Sequence, residues 1–142
     1  IWHPVSMRHL DDELPFNIPQ SAKLSFRAMC LQNGIFTLTD GKTAAITPYL
    51  MEKGWQRTSY APYVSPKTYA KMLPPCFLVT GISDSQKKDT KRFSNLLVHK
   101  RIKCKMYITH TPFTKESFAA RYPGKPYSEA ANLEMLKFFE KI

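Results

Sequence analysis

The chain has 142 residues, 43% of them hydrophobic and 13% aromatic, which is room for one domain with a core or for a piece of something larger. That content excludes an intrinsically disordered chain, and no apolar run is long enough for a membrane span, nor any glycine period regular enough for collagen. The 21 Lys and Arg residues against 11 Asp and Glu leave a formal charge of +10, which suggests an acidic partner, and the first residue is Ile1, as in a trimmed or processed chain.

The opening Ile1-Trp2-His3-Pro4 has no basic stretch followed by an apolar core, so no signal peptide is expected within these residues. Residues 1–70 are irregular, interrupted by Pro4, Pro15, Pro19, Pro48, Pro62 and Pro66. Within them Ser21 to Leu31 and Thr39 to Gly54 read as helical. Thr39-Asp40 can cap the second stretch, Pro48 interrupts it and Gly54 ends it, so a short or kinked helix is expected, with Ala45, Tyr49 and Leu50 facing inward. The three cysteines, Cys30, Cys76 and Cys104, are widely spaced, with no C-x-x-C pair and no Cys/His pairing at metal spacing. They read as free thiols, which suits a reducing compartment and favours a cytoplasmic location.

From Leu73 onward the pattern is regular. Pro74-Pro75 precede Cys76-Phe77-Leu78-Val79-Thr80, an apolar run ended by Gly81, which reads as a parallel strand buried on both faces. A polar loop from Ile82 to Gln86 leads into Asp89 to His99. There Phe93, Leu96 and Leu97 share one helical face, and Lys91, Arg92 and Asn95 take the other. Ile102, Cys104, Met106 and Ile108 then alternate with Lys103, Lys105, Tyr107 and Thr109, the period of a strand with one wetter face near a sheet edge. After a loop from His110 to Pro126, Ser128 can cap a last helix whose apolar face comes from Ala131, Leu133, Met135, Leu136, Phe138 and Phe139.

A strand-helix-strand-helix order implies an α/β fold with parallel strands, in which chemistry sits in the loops beyond the carboxyl ends of the strands. Those loops are Gly81 to Gln86, which carries Asp84, and the one from Thr109 onward, which carries His110. A carboxylate after one strand and an imidazole after the next suit a pair in which the acid orients and supports a general base. The plainer alternative also stands: a loop Asp is commonly a turn-former or cap, and a single His after a strand a surface residue.

Three stretches in order carry a family resemblance: Tyr60-Ala61-Pro62-Tyr63-Val64-Ser65-Pro66, then Leu73-Pro74-Pro75 through Asp84, then Asp89-Thr90-Lys91-Arg92-Phe93-Ser94-Asn95-Leu96-Leu97. Together they resemble the C-terminal half of α/β-hydrolase esterases of the hormone-sensitive-lipase type, where an "SP" segment precedes "LPP", a buried strand and the loop of the triad acid. Phe36-Thr37-Leu38-Thr39 is similar to the "LT" that opens a cap helix in that family. Tyr122-Pro123 with Ala130-Ala131-Asn132 through Phe138-Phe139 is similar to its closing helix. The resemblance covers most of residues 36–142. It implies a strand end plus a cap-like irregular helical segment in residues 1–70, and the last β-α-β-α part of the hydrolase core in residues 71–142.

The resemblance implies that Asp84 is the triad acid. Counting back from Tyr122-Pro123 sets the family's "HGF" on Glu116-Ser117-Phe118, leaving Glu at the base position. Counting forward from the strand end reaches Thr114, with His110 a few residues early. Either His110 serves as base or the base is absent. In this fold the nucleophile precedes the acid in a G-x-S-x-G turn, and no such turn lies before Asp84; Ser83 sits in the acid loop without the closing glycine. The glycine-rich oxyanion segment is missing as well. The chain is therefore expected to be a C-terminal portion of an esterase, inactive alone, with the missing N-terminal half or another copy completing its sheet. The alternative is a catalytically degenerate relative. By resemblance the substrate is a small-molecule ester, Phe36, Tyr49 and Trp55 are candidates for lining the pocket under the cap, and no metal or organic cofactor is implied.

A binding role is the reading from a different class. Lys87, Lys88, Lys91, Arg92, Lys100, Arg101, Lys103 and Lys105 cluster on one helix and the next strand with Tyr107 among them, as in phosphate-backbone binders. Lysines are also ordinary on the wet face of a helix, and no nucleic-acid-binding motif is present. A nucleic-acid partner is thus not expected.

Overall fold

The computed structural model describes residues 26–32, 34–37, 47–58, 61, 66–115 and 117–142. The elements in chain order are β1 (Met29–Gln32), α1 (Thr47–Leu50), β2 (Cys76–Gly81), α2 (Lys87–His99), β3 (Cys104–Thr109), α3 (Phe118–Arg121) and α4 (Pro126–Phe139), with single 3-10 turns at Trp55–Arg57 and Ala70–Met72. The strands form one parallel sheet in the order β1-β2-β3, with Met29 opposite Cys76 and Cys76 opposite Cys104.

The apolar run of β2 is the middle strand, and all six of its residues are buried. A parallel strand there has helices on both faces, so alternate side chains enter two cores. Cys76 and Leu78 join Leu31, Phe36, Ala70, Phe93 and Leu97 on the α2 side. Phe77 and Val79 join Phe118, Ala119, Ala131 and Phe138 on the α4 side. Each large side chain taken fully out of water contributes about 1.5–3 kcal/mol, so β2 is the stabilising centre of the sheet.

α2 begins two residues before the expected Asp89. Its end is a left-handed cap at Arg101 (φ 60°). The Ile102 N–H reaches back to the Leu97 carbonyl at 2.9 Å, and Ile102 packs against the core. β3 lies at the sheet edge among the described residues, but its expected alternation holds only at its start: Lys105 is exposed, whereas Tyr107 packs against the α4-side core and Thr109 is buried. On its wetter side Lys105 bonds Glu134 of α4 at 2.6 Å, and Lys137 bonds the same carboxylate at 2.9 Å. Those two hydrogen bonds hold the Glu134 carboxyl at about 2.

Four expectations change. Met29–Gln32 is a strand and not the end of a helix, because a short apolar run reads alike in either period and pairing with β2 decides it. Ser128 is not the helix cap: Pro126 starts α4 earlier, at a position where its missing N–H costs nothing, and Ser128 is buried with its hydroxyl donating to the Phe118 carbonyl at 3.1 Å. The stretch read as a loop from His110 to Pro126 contains the short helix α3. Tyr49 does not face inward; α1 is only one turn long, and Tyr49 is 89% exposed while Thr47 is buried. Ala45 and the Leu50 side chain lie outside the described residues, as do Thr39-Asp40 and residues 21–25.

Candidate active site

The carboxyl ends of β2 and β3 are in register, Gly81 beside Thr109, so the loops carrying Asp84 and His110 leave the sheet side by side. The Ile82 N–H donates to the Thr109 carbonyl at 3.0 Å. The second loop then turns back: Thr114 is buried and lies so close to Gly81 that a β-carbon there would overlap the Thr114 carbonyl. Glycine at 81 thus permits a backbone approach that locks the two loops together.

Asp84 is 6% exposed. The Thr80 hydroxyl, at the end of β2, donates to Oδ2 at 2.7 Å, and the Gln86 N–H donates to Oδ1 at 2.8 Å. One bond ties the carboxylate to its own strand and the other to the start of α2. The acidic loop is further closed by the Lys87 Nζ, which donates to the Ile82 carbonyl at 2.7 Å. A carboxylate has about four lone-pair positions, and these contacts fix its orientation. Ser83 is exposed.

His110 follows Thr109 directly and is exposed. Beyond it, Thr111 to Thr114 form a tight turn in which the Thr114 N–H reaches the Thr111 carbonyl at 3.4 Å and the Thr114 hydroxyl reaches it at 2.7 Å. The Thr111 N–H is held by the Thr109 hydroxyl at 3.3 Å. Phe113, in the third position of that turn, has φ 64°, a left-handed conformation that costs a bulky residue about 1–2 kcal/mol. Ser117 also has positive φ, 51°, at the position where the family's "HGF" alignment has its glycine; Glu116 lies outside the described residues.

Of the residues expected at a cap, Phe36 lies in the interior, stacked on Phe93 of α2 with ring centroids 4.3 Å apart. Its N–H and the Thr37 hydroxyl donate to the two Asp89 oxygens at 2.6 and 2.8 Å. Trp55 is buried, and Tyr49 is exposed. Sequence reasoning had no signal for Thr80 or the Asp89 latch, and it reached Thr114 only by counting from the strand end, since the role of each depends on contacts between segments. Gln32, at the carboxyl end of β1, was also missed; its Oε1 is buried with no hydrogen-bond partner among the described residues.

The cysteines are free thiols. Burial pushes the Cys76 thiol up to about 12, with Cys104 beside it adding to the effect, and burial raises Cys30 and Cys104 as well. Thiols so raised are poor nucleophiles at neutral pH. Among the described residues no group of three or more His, Cys, Asp or Glu could hold a metal ion, and no helix is long and apolar enough to cross a membrane. The eight cations read as one cluster divide between opposite sides of the sheet. α2 covers the face of Cys76 and Leu78, whereas Lys105 aligns with Phe77 on the α4 side, where Lys103 Nζ donates to the Lys141 carbonyl at 2.6 Å.

No family model and no curated protein matches the sequence. Solved structures do match in fold. Esterase B from Lactobacillus rhamnosis, inhibited by a tributyrin phosphonate, superposes with a TM-score of 0.69 at 18% identity, over 84% of this chain and 40% of that one. The hyperthermophilic esterase from the archaeon Pyrobaculum calidifontis gives 0.56 at 16% identity, over 97% of this chain and 47% of that one. The three parallel strands and their helices have the fold of the C-terminal portion of an α/β-hydrolase. The chain spans less than half the length of these neighbours, which are esterases of the α/β-hydrolase type.

Proposed function

We propose that this chain is the C-terminal part of a carboxylic ester hydrolase and supplies the acid and the base of a serine triad. The carrying observation is Asp84, buried beyond the central strand and oriented by Thr80 and Gln86, with the loop of His110 fastened alongside. The nucleophilic serine and the oxyanion donors come from polypeptide outside residues 1–142, the N-terminal half, because the sequence contains no G-x-S-x-G turn. The esterase neighbours support this reading, each being more than twice as long as the part this chain matches. Residues 1–70 contribute β1 and a cap-like segment, and residues 71–142 the end of the catalytic core. Tyr49 and Trp55 remain assigned to the cap side of the substrate pocket, whereas Phe36 is packed in the core on Phe93.

In the assembled site His110 removes the serine proton as the serine oxygen attacks the ester carbonyl. The imidazolium, held by Asp84, then protonates the departing alkoxide and leaves an acyl-serine. Water enters, His110 removes its proton, and hydrolysis releases the acid and free serine. Asp84 fixes the imidazole tautomer and supports the charge that develops on the ring.

Hydrolysis of p-nitrophenyl acetate by the complete polypeptide that carries residues 1–142 tests the assignment of the base. His110→Ala is expected to lower kcat at least a thousandfold with the fold intact. Unchanged turnover in that variant rejects His110. A degenerate relative is the second reading. It is favoured by Ser117, whose left-handed backbone suits the glycine of the family's "HGF"; that alignment has Glu116 in place of the histidine. A folded complete protein without turnover would favour it.

A further inference from the structure

Three non-glycine residues among those described have positive φ: Arg101, Phe113 and Ser117. Arg101 closes α2 and Ser117 opens α3, so both serve helix ends. Phe113 serves neither. It follows Pro112 in a turn whose third position favours glycine, and its ring is 87% exposed, so no burial offsets the strain. The turn is nevertheless fixed from both ends. Thr111 is bonded to Thr109, and Thr114 is buried against Gly81. Such strain persists where the surroundings over-determine it, and it concentrates where a side chain must be presented to a ligand.

The geometry points to Phe113 as a substrate-contacting residue, its ring forming an apolar wall for the hydrocarbon part of the ester. This rests on the function proposed above. The occupant follows from position: Phe113 stands three residues beyond His110, on the turn that is locked to the Asp84 loop, and aromatic side chains are a usual lining of small-molecule sites. Ester hydrocarbon chains are the apolar groups that reach such a place.

Phe113→Gly and Phe113→Leu in the complete polypeptide test this with p-nitrophenyl acetate and octanoate. Phe113→Gly should raise Tm by roughly 2–5 °C as the strain is relieved. It should also lower the octanoate-to-acetate ratio of kcat/KM about tenfold. Phe113→Leu should keep the ratio without the gain in Tm. A stabilised Phe113→Gly with an unchanged ratio overturns the proposal, and so does a dimer-to-monomer shift in sedimentation, which would make the ring a contact between copies. A wild type that hydrolyses neither ester sinks the function but not this inference. Sodium octanoate is then titrated by calorimetry: binding weakened about tenfold in Phe113→Gly supports the wall, and equal or absent binding in both proteins overturns it.

Discussion

Truncating Phe93 to alanine is expected to destabilise the domain by about 3–5 kcal/mol, the cost of deleting a fully buried aromatic and leaving its cavity. Phe93 has no exposed surface. It lies in the core beneath β2 and stacks on Phe36. One helical turn earlier, Asp89 holds the Phe36 N–H and the Thr37 hydroxyl, so ring and carboxylate together tie residues 36–37 to α2. Small domains have about 5–15 kcal/mol in total, so the variant should unfold at a much lower urea midpoint. Leu136→Ala, at a residue 53% exposed on α4, should cost well under half as much. A loss below about 1 kcal/mol for Phe93→Ala would contradict the packing described, since cavities in cores cost more than that.

Asp84→Asn is expected to lower kcat in the complete enzyme by about 10⁴-fold while leaving the fold in place. The amide oxygen can still accept from the Gln86 N–H, and the amide nitrogen can donate to the Thr80 hydroxyl oxygen, so both local ties survive. What disappears is the negative charge that supports an imidazolium and fixes its tautomer. The separation of outcomes is therefore clean: far-ultraviolet circular dichroism and Tm near wild type, and turnover almost lost. If Asp84 were only a turn-former, the same variant would retain turnover within a factor of ten.

Much of the core was legible because its physics is local. The run Cys76 to Val79 has no polar residue that a solvated face would need, and β2 is buried on both sides. The spacing of Phe93, Leu96 and Leu97 and the alternation of Cys104, Met106 and Ile108 gave α2 and β3, with the wetter side of β3 carrying Lys105 to Glu134. β1 was misread because four residues do not define a period, and its conformation comes from pairing with a strand 47 residues further on. Ser128 was misread because Pro126 set the helix start before any cap was needed.

The candidate site was legible in part for the same reason. An acid after a buried strand is visible in sequence, but the hydroxyl of Thr80 that orients it gives no sign of its role. Gly81 was visible as the end of a strand. Its close approach to Thr114, which fastens the two loops, depends on the return path of residues 110–114 and on nothing local. The strain at Phe113 is likewise set by contacts on either side of the turn. The basic residues misled in the opposite direction, because neighbours in sequence were separated by the sheet: α2 covers one face, and Lys105 points to the other.

The central claim is that a serine outside residues 1–142 is activated by groups within them. Mass-spectrometric mapping of a fluorophosphonate probe, applied to the complete polypeptide and to the 142-residue chain alone, tests it most directly. One modified serine is expected in the complete protein, located outside these residues, and no modification of the isolated chain at Ser83, Ser85 or any other serine. Labelling of a serine within the isolated chain, or a complete protein that takes up no probe, would contradict it.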